Sequence, residues 1–326
     1  MSMITYAQAV KDAMSEEMRR DPNVFLMGED VGVYGGGFGV SLGMIEEFGE
    51  DRVIDTPISE LGYIGCGVGA AMVGMRPIID IMFSDFISVG FDQIANQAAK
   101  IRYMFGGNAT VPVVIRLPEG SGTGAAAQHS QTPEAWLTNV PGLKIITPAT
   151  PYDAKGLLKA AIRDDNPVIF LEQKMMYRKK GEVPEEDYTI EIGKADIKRE
   201  GSDLSIITYG RMVMDSLEAA QALAEEGISV EVLDLRTLAP LDRSAIEQTV
   251  KKTKRAMVVH EACKTGGFGG EISAAISESD AFYYLDAPIK RCAGVDVPIP
   301  YCVELEKNVI PSVNDLVATA RSMVKK

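Results

Sequence analysis

The sequence predicts an α/β protein of two domains, each with a mainly parallel sheet flanked by helices. Three observations carry that prediction. Short apolar runs suited to strands alternate with amphipathic stretches along most of the chain, which is the pattern of a parallel sheet covered on both faces. At 326 residues and 46% hydrophobic, the chain is long for a single core. A charged, irregular stretch from about residue 174 to 201 interrupts the alternation, as an inter-domain connection does. The expected division is a first domain over 1–180, a linker over 181–200 and a second domain over 201–326.

The elements follow in order. Thr5 is placed to cap a helix that runs to about Arg20. The runs "NVFLMGED", "RVIDTP", "RPIIDIMF", "VPVVIRLP", "LKIITPA" and "NPVIFLEQ" read as strands, with "DQIANQAAKIRYMF" and "PYDAKGLLKAAIRDD" as helices among them. After the charged stretch, "DLSIITYG", "SVEVLDLRTL", "AMVVHEA" and "PIKRCAGVD" continue the strands. Helices are expected from about Met212 to Glu226, after Asp242 and after Gly270.

Composition excludes several classes. A net charge of -13, from 33 basic and 46 acidic residues, disfavours nucleic-acid or anionic-membrane partners, which require a basic patch. The opening "MSMITYAQAVKDAMSEEMRR" lacks the apolar core of a signal peptide, and no segment is long and apolar enough to span a bilayer, so a cytoplasmic chain is expected. Cys66, Cys263, Cys292 and Cys302 form no C-x-x-C pair and are expected to be reduced thiols, most of them packing residues. With His129 and His260 as its two histidines, the chain offers no His-rich metal site.

Glycine clusters raise the first site question. Gly65-Cys66-Gly67-Val68-Gly69-Ala70 fits a dinucleotide fingerprint, with Asp80 or Asp85 as the ribose acid. Helix packing explains more, because Gly62, Gly65, Gly69, Ala70 and Gly74 fall near three- and four-residue spacing and bare one helix face for close approach, within the chain or across a subunit boundary. "TGGFGGE" at 265–271 suits either an anion at a helix N-terminus or a plain tight turn, and "YGGGFG" at 34–39 reads as a flexible loop.

Two ionisable residues stand out more clearly. Glu60 opens a long apolar run, with Ile58 before it and no Lys or Arg from 53 until Arg76. A first-turn Glu is favoured by the helix macrodipole alone. A desolvated carboxylate without a cationic partner also tends to hold or share a proton, which suits a ligand whose nitrogen must be protonated. His129, in the small-residue loop "GTGAAAQHSQTPEAW", is either an acid/base group or a surface histidine, and Thr132 and Pro133 after it suggest a helix start. Glu29, Glu60 and His129 all follow strands, and parallel sheets bind ligands beyond their carboxyl ends.

Taken together, "DTPISE", "QAAKIRYMFGG", "AAAQHSQTPEAW", "PGLKIITPATPYDAKGLLKAAIRDDNPVIFLE" and "HEACKTGGFGGEI" resemble one family over essentially the whole chain. The family so resembled is that of the beta subunits of the thiamine-diphosphate-dependent decarboxylating component of 2-oxo acid dehydrogenase complexes. The resemblance implies a transketolase-like fold, with an N-terminal pyrimidine-binding domain and a smaller C-terminal α/β domain. It aligns Glu60 with the glutamate that hydrogen-bonds the cofactor's aminopyrimidine ring and manages its proton, Phe86 with the aromatic on that ring, and Ile58 with a neighbouring contact. His129 aligns with the histidine of reductive lipoyl acylation, and Glu29 and Asp92 with an acidic chain that, with Glu60, forms a proton network. Val113, Ala161, Ile162, Asp164 and Asn166 match a monovalent-cation site, usually potassium.

The G-D-G signature that holds magnesium and diphosphate in thiamine enzymes is absent from the chain. The resemblance assigns it to an alpha subunit, which implies an α2β2 heterotetramer with magnesium held mainly by the partner. Further implied partners are the lipoyl domain and core of a dihydrolipoyl acyltransferase. The expected activity is of the pyruvate dehydrogenase type. Acetoin and branched-chain 2-oxo acid enzymes are alternatives, and a structural or regulatory subunit of the same fold is the non-enzyme alternative.

Overall fold

The computed structural model describes residues 1–324, which form two compact units. The first comprises Met1–Glu119 and Trp136–Ile192, and the second Gly120–Ala135 and the chain from Gly193 onward. This differs from the single cut expected from the sequence: a stretch of sixteen residues that carries His129 groups with the second unit.

In the first unit, β1 (Ser2–Thr5) leads into α1 (Tyr6–Arg20), and the Thr5 side chain accepts a hydrogen bond from the Gln8 amide at 3.1 Å, as its capping role requires. There follow β2 (Val24–Gly28), α2 (Met44–Phe48), β3 (Val53–Asp55), α3 (Glu60–Met72) and β4 (Arg76–Asp80). Next come a 3-10 turn at Ser84–Ser88, a π-helical turn at Gln93–Ala98 that continues into α4 (Ala99–Met104), and β5 (Val114–Glu119). The chain rejoins this unit at Trp136, inside a short helix, α5 (Glu134–Thr138), that begins after Pro133, one residue later than the sequence suggests. β6 (Lys144–Ile146), α6 (Pro151–Arg163), β7 (Val168–Gln173) and β8 (Lys180–Val183) complete the unit. Its strands run parallel in the order β6-β7-β5-β4-β2-β3. Tyr6, Val10 and Met14 of α1 share a core with Leu157 and Leu158 of α6 and with Leu26, Ile78 and Phe170 of the sheet.

The second unit contains β9 (Asp196–Arg199), β10 (Leu204–Thr208), α7 (Met212–Ala224), β11 (Val230–Asp234), β12 (Thr237–Ala239), α8 (Arg243–Thr253), β13 (Ala256–Cys263), α9 (Gly269–Ser277), β14 (Lys290–Gly294), α10 (Val303–Glu306) and α11 (Val313–Val324). Its sheet runs β14-β13-β10-β11-β9, parallel except for the antiparallel edge strand β9.

The expected linker over 181–200 is therefore structured. β8 pairs antiparallel with β1, and Tyr188 and Ile190 pack so closely on α6 that a Cβ at Gly156 would meet both at 2.7 Å. β9 already belongs to the second sheet. "YGGGFG" is a series of hydrogen-bonded turns, with the Gly36 amide donating to the Asp30 carbonyl at 2.8 Å and Phe38 packed against Phe83 and Tyr177. The cysteines are free as expected, but Cys66, Cys263 and Cys302 are exposed rather than packed. No helix among the described residues is long and apolar enough to cross a membrane.

Candidate active site

Strand register brings acids together at the carboxyl edge of the first sheet. Gly28, at the end of β2, pairs with Asp55 of β3 on one side and Asp80 of β4 on the other. Glycine is required at position 28 by close approach, since a Cβ there would lie 2.5 Å from the Asp80 carbonyl oxygen. Glu29 follows directly and is buried, and Glu60 sits at the first position of α3, only 8% exposed. Burial, and next the Glu60 carboxylate, push the Glu29 acid above its usual range, with Asp30 and Asp80 adding to the effect. Tyr63, one turn beyond Glu60, is buried beside them, and its hydroxyl is pushed up by burial and then by Glu29 and Glu60. Glu29 Oε1 and the Tyr63 hydroxyl lie near enough to influence each other's titration, yet neither makes a hydrogen bond of normal geometry.

Beside this acid cluster the surface is apolar. Ile58 is 83% exposed and Phe86 is half-buried in the 3-10 turn, edge-on to Phe83 at 5.9 Å. Gly90 seats the segment carrying Phe86 on α3: a Cβ there would lie 3.2 Å from the Glu60 carbonyl oxygen and 2.3 Å from Ile64 Cδ1. A buried acid with orphaned polar atoms, next to an uncovered aliphatic side chain and an aromatic ring, fits a flat heterocycle that bears a basic nitrogen. The aminopyrimidine of thiamine diphosphate is such a group. Asp92 is exposed and accepts a hydrogen bond from Asn96 Nδ2 at 2.6 Å; among the described residues no hydrogen bond or ion pair joins it to Glu29 or Glu60.

Below the acids lies an ion cluster the sequence reading missed. Arg116 of β5, 1% exposed, donates through Nε and Nη2 to Glu172 of β7 at 2.8 and 2.7 Å, and through Nη1 to Asp80. The Tyr177 hydroxyl also donates to Glu172, at 2.9 Å. Burial raises the Asp80 acid despite Arg116. The available signal was a lone arginine inside the apolar run "VPVVIRLP", facing a lone glutamate inside "NPVIFLEQ".

His129 lies in the second unit, half-buried, in a loop closed by the Gly120 amide donating to the Gln131 carbonyl at 3.0 Å. Two acids hold one limb of this loop. Glu261 Oε1 accepts from the Ser121 amide at 2.6 Å and its hydroxyl at 2.7 Å, while Glu306 accepts from the Gly122 and Gly124 amides at 2.7 and 3.1 Å. Just past the loop, the Tyr209 hydroxyl donates to buried Glu134 at 2.8 Å. Burial raises the Glu134 acid to about 7, with the charge of Glu261 contributing and the Tyr209 bond opposing. In "TGGFGGE", Gly267 and Gly269 wrap a buried His260, and a Cβ at either would fall within 2.6 Å of the imidazole, which favours the tight-turn reading.

Of the five residues matched to a cation site, Ala161, Ile162, Asp164 and Asn166 lie together where α6 ends, and Val113 bonds to Val168 at the start of β7. Asn166 donates to Asp164 Oδ1 through its amide and side chain, both at 2.8 Å, the Asp164 amide donates to the Ala161 carbonyl at 3.2 Å, and the Val168 amide donates to the Val113 carbonyl at 2.9 Å. Arg76 donates to the Ile162 and Asp164 carbonyls at 2.9 and 3.0 Å, and Lys144 pairs with the Asp164 carboxylate. These are hard oxygens of the kind a monovalent cation takes, and here the Arg76 guanidinium and the Lys144 ammonium already bond to three of them. No group of three or more His, Cys, Asp or Glu side chains able to hold a metal occurs among the described residues.

Comparison with known proteins agrees with this fold. Residues 2–180 match the transketolase pyrimidine-binding domain and residues 193–316 the transketolase C-terminal domain. The 2-oxoisovalerate dehydrogenase subunit beta of Bacillus subtilis is 50% identical over 100% of both chains. A mitochondrial pyruvate dehydrogenase beta-1 subunit of Oryza sativa subsp. japonica is 47% identical over 98% of this chain and 86% of its own. The beta subunit of the acetoin:2,6-dichlorophenolindophenol oxidoreductase of Bacillus subtilis is 46% identical over 99% and 97%. A solved structure titled a split gene transketolase, an inactive beta4 tetramer, superposes with a TM-score of 0.81 over 99% of each chain at 22% identity, which speaks to the fold. Fold, domain matches and near full-length identity converge: the chain belongs to the beta subunits of the 2-oxo acid dehydrogenases, built on the transketolase fold.

Proposed function

We propose that this chain is the beta subunit of a heterotetrameric, thiamine-diphosphate-dependent 2-oxo acid dehydrogenase of the pyruvate type. In this reading it joins an alpha subunit to decarboxylate the substrate and reductively acylate the lipoyl group of an acyltransferase core. The observation that carries the reading is buried Glu60 at the head of α3, flanked by the raised Glu29 acid and by uncovered Ile58. When bound, thiamine diphosphate supplies the carbanion-stabilising chemistry. Glu60 holds and moves the proton at the aminopyrimidine ring nitrogen, Phe86 and Ile58 seat the ring, and Glu29 backs Glu60 electrostatically. His129 delivers a proton to the lipoyl dithiolane. Asp92, exposed in this chain, extends the proton network to a neighbouring subunit. Missing G-D-G leaves diphosphate and magnesium to the alpha subunit, and exposed Leu61, Met72 and Val73 on and after α3 suit its approach. Potassium at 113 and 161–166 would fix the carboxyl end of α6.

A branched-chain substrate is the second reading, favoured by the 50% identity to the 2-oxoisovalerate relative. The test is turnover of the chain coexpressed with an alpha-type subunit and supplied with thiamine diphosphate, magnesium and an artificial electron acceptor. Pyruvate, branched-chain 2-oxo acids and acetoin are compared. Activity that requires both chains supports the shared site, and the preferred substrate names the type. A stable heteromer inert toward all three would overturn the enzymatic reading.

A further inference from the structure

The loop of residues 120–131 has little regular structure of its own, yet it carries the imidazole assigned to lipoyl chemistry. Such a loop presents a side chain reproducibly only where its backbone donors are satisfied. Here two carboxylates do this from far along the chain. Glu261, two residues before the end of β13, places its carboxylate on the Ser121 amide and hydroxyl, and Glu306 closes α10 with one oxygen on the Gly122 amide and the other on the Gly124 amide. Both acids are buried, Glu306 at 2% exposure. The backbone is shaped to receive them, because Gly120, Gly122 and Gly124 have φ of +86°, +105° and +68°, turning neighbouring amides into a concave anion-binding nest. Ala126 adopts φ +63° in the turn where the His129 amide donates to the Ala126 carbonyl at 3.4 Å.

We infer that Glu261 and Glu306 are positioning residues for His129, clamping its loop so that the imidazole is held in one place for transfer to the lipoyl group. The inference rests on the reading of His129 given above. A carboxylate suits the task better than an amide, since both Glu306 oxygens accept and a Gln would turn an NH2 group toward one of the two glycine amides. A misplacement of about 1 Å lowers a positioned reaction on the order of 10²-fold.

The test uses the assembled enzyme with its alpha subunit, thiamine diphosphate and magnesium. For the wild type, Glu306→Gln and His129→Gln, two rates are measured: acylation of a free lipoyl domain and reduction of an artificial dye. Hydrogen exchange of the 120–131 amides is followed in parallel. The expected result for Glu306→Gln is an acylation-to-dye ratio reduced by about 10- to 100-fold, with faster exchange confined to the loop. Faster exchange with an unchanged ratio would make the clamp merely structural. A lowered ratio without faster exchange would route the effect elsewhere, and either outcome overturns the inference. If His129→Gln keeps the wild-type ratio, the His129 reading itself fails and the inference falls with it; loss in that variant alone leaves the reading and removes the clamp. Should Glu306→Gln fail to assemble, Ser121→Ala, which deletes one donor to Glu261 and keeps both acids, is expected to lower the ratio several-fold, and a wild-type ratio there would count against the clamp.

Discussion

Glu60 heads α3, where any carboxylate gains from the helix macrodipole. A cap and a proton carrier therefore respond differently to one substitution. Glu60→Gln is expected to cost about 0.3–1 kcal/mol of stability, while decarboxylation by the assembled enzyme falls by roughly 10²- to 10⁴-fold. Thermal melting and dye reduction read the two effects separately, and near-normal turnover would refute the assigned role. Glu134 offers a test in pH. Its folded value near 7 lies above the ordinary 4.5, so the fold favours the uncharged acid. The stability it contributes is full below about 4.5 and is lost as pH rises through about 7. The difference corresponds to roughly 3 kcal/mol, so Glu134→Gln is expected to stabilise the chain at pH 8 relative to wild type and to change little at pH 4, measured by urea unfolding. His260, pushed down to about 4 by burial and then by Arg291, gives the opposite slope, full above about 6.5 and lost as pH falls toward 4. Wild-type unfolding sums both, and the variants separate them. Glu60 and Glu29 could be singled out because each follows a strand in apolar text, at the edge where parallel sheets bind ligands. Tyr63 and Arg116 blended into helix and strand patterns, and Glu306 carried no local signal at all.

At the scale of elements, α3 divides the glycines that its sequence groups together. Gly67, outside the expected stripe, is where the helix touches the sheet: a Cβ would meet Ile79 Cδ1 at 2.4 Å. Gly69 is exposed with nothing within 4 Å, and Gly74 lies beyond the helix at φ +98°. Gly69→Ala is expected to stabilise the chain by about 0.5–1 kcal/mol through helix propensity. Gly67→Ala is expected to destabilise it by about 1–2 kcal/mol, because overpacking outweighs the same gain; thermal denaturation of both variants checks the contrast. Across the central strands, Arg116→Met would strand two buried carboxylates at Asp80 and Glu172. A loss on the order of 3–5 kcal/mol in urea unfolding is expected. Buried parallel strands announce themselves as apolar runs, which is why β2 to β7 were readable. β8 and β9 were not: edge strands keep one side in water, and their text is as charged as a linker's.

For the whole molecule, two α/β units were legible from alternation and length, whereas the passage of the chain between them was not. It leaves the first unit at Gly120, returns at Trp136 and leaves again at Gly193. Pattern reading follows neighbours in sequence, and the partners of the 120–135 stretch are not neighbours. The missing diphosphate signature acts at this scale too. The chain alone is expected to show no turnover with thiamine diphosphate and magnesium, and to gain it on coexpression with an alpha-type subunit; an active beta-only preparation would end the shared-site reading.

The loop clamp has a consequence in time. Glu261 and Glu306 lie 140 and 184 residues after the donors they hold. During synthesis the ribosome delivers His129 long before either anchor, so the stretch at 120–131 emerges with its amides still bonded to water. Its final shape waits until Glu306 has emerged, and a chain that stops before that residue lacks the acid that holds the Gly122 and Gly124 amides, however well its first sheet has folded. The order of the loop is thus set by how late its distant partners are made.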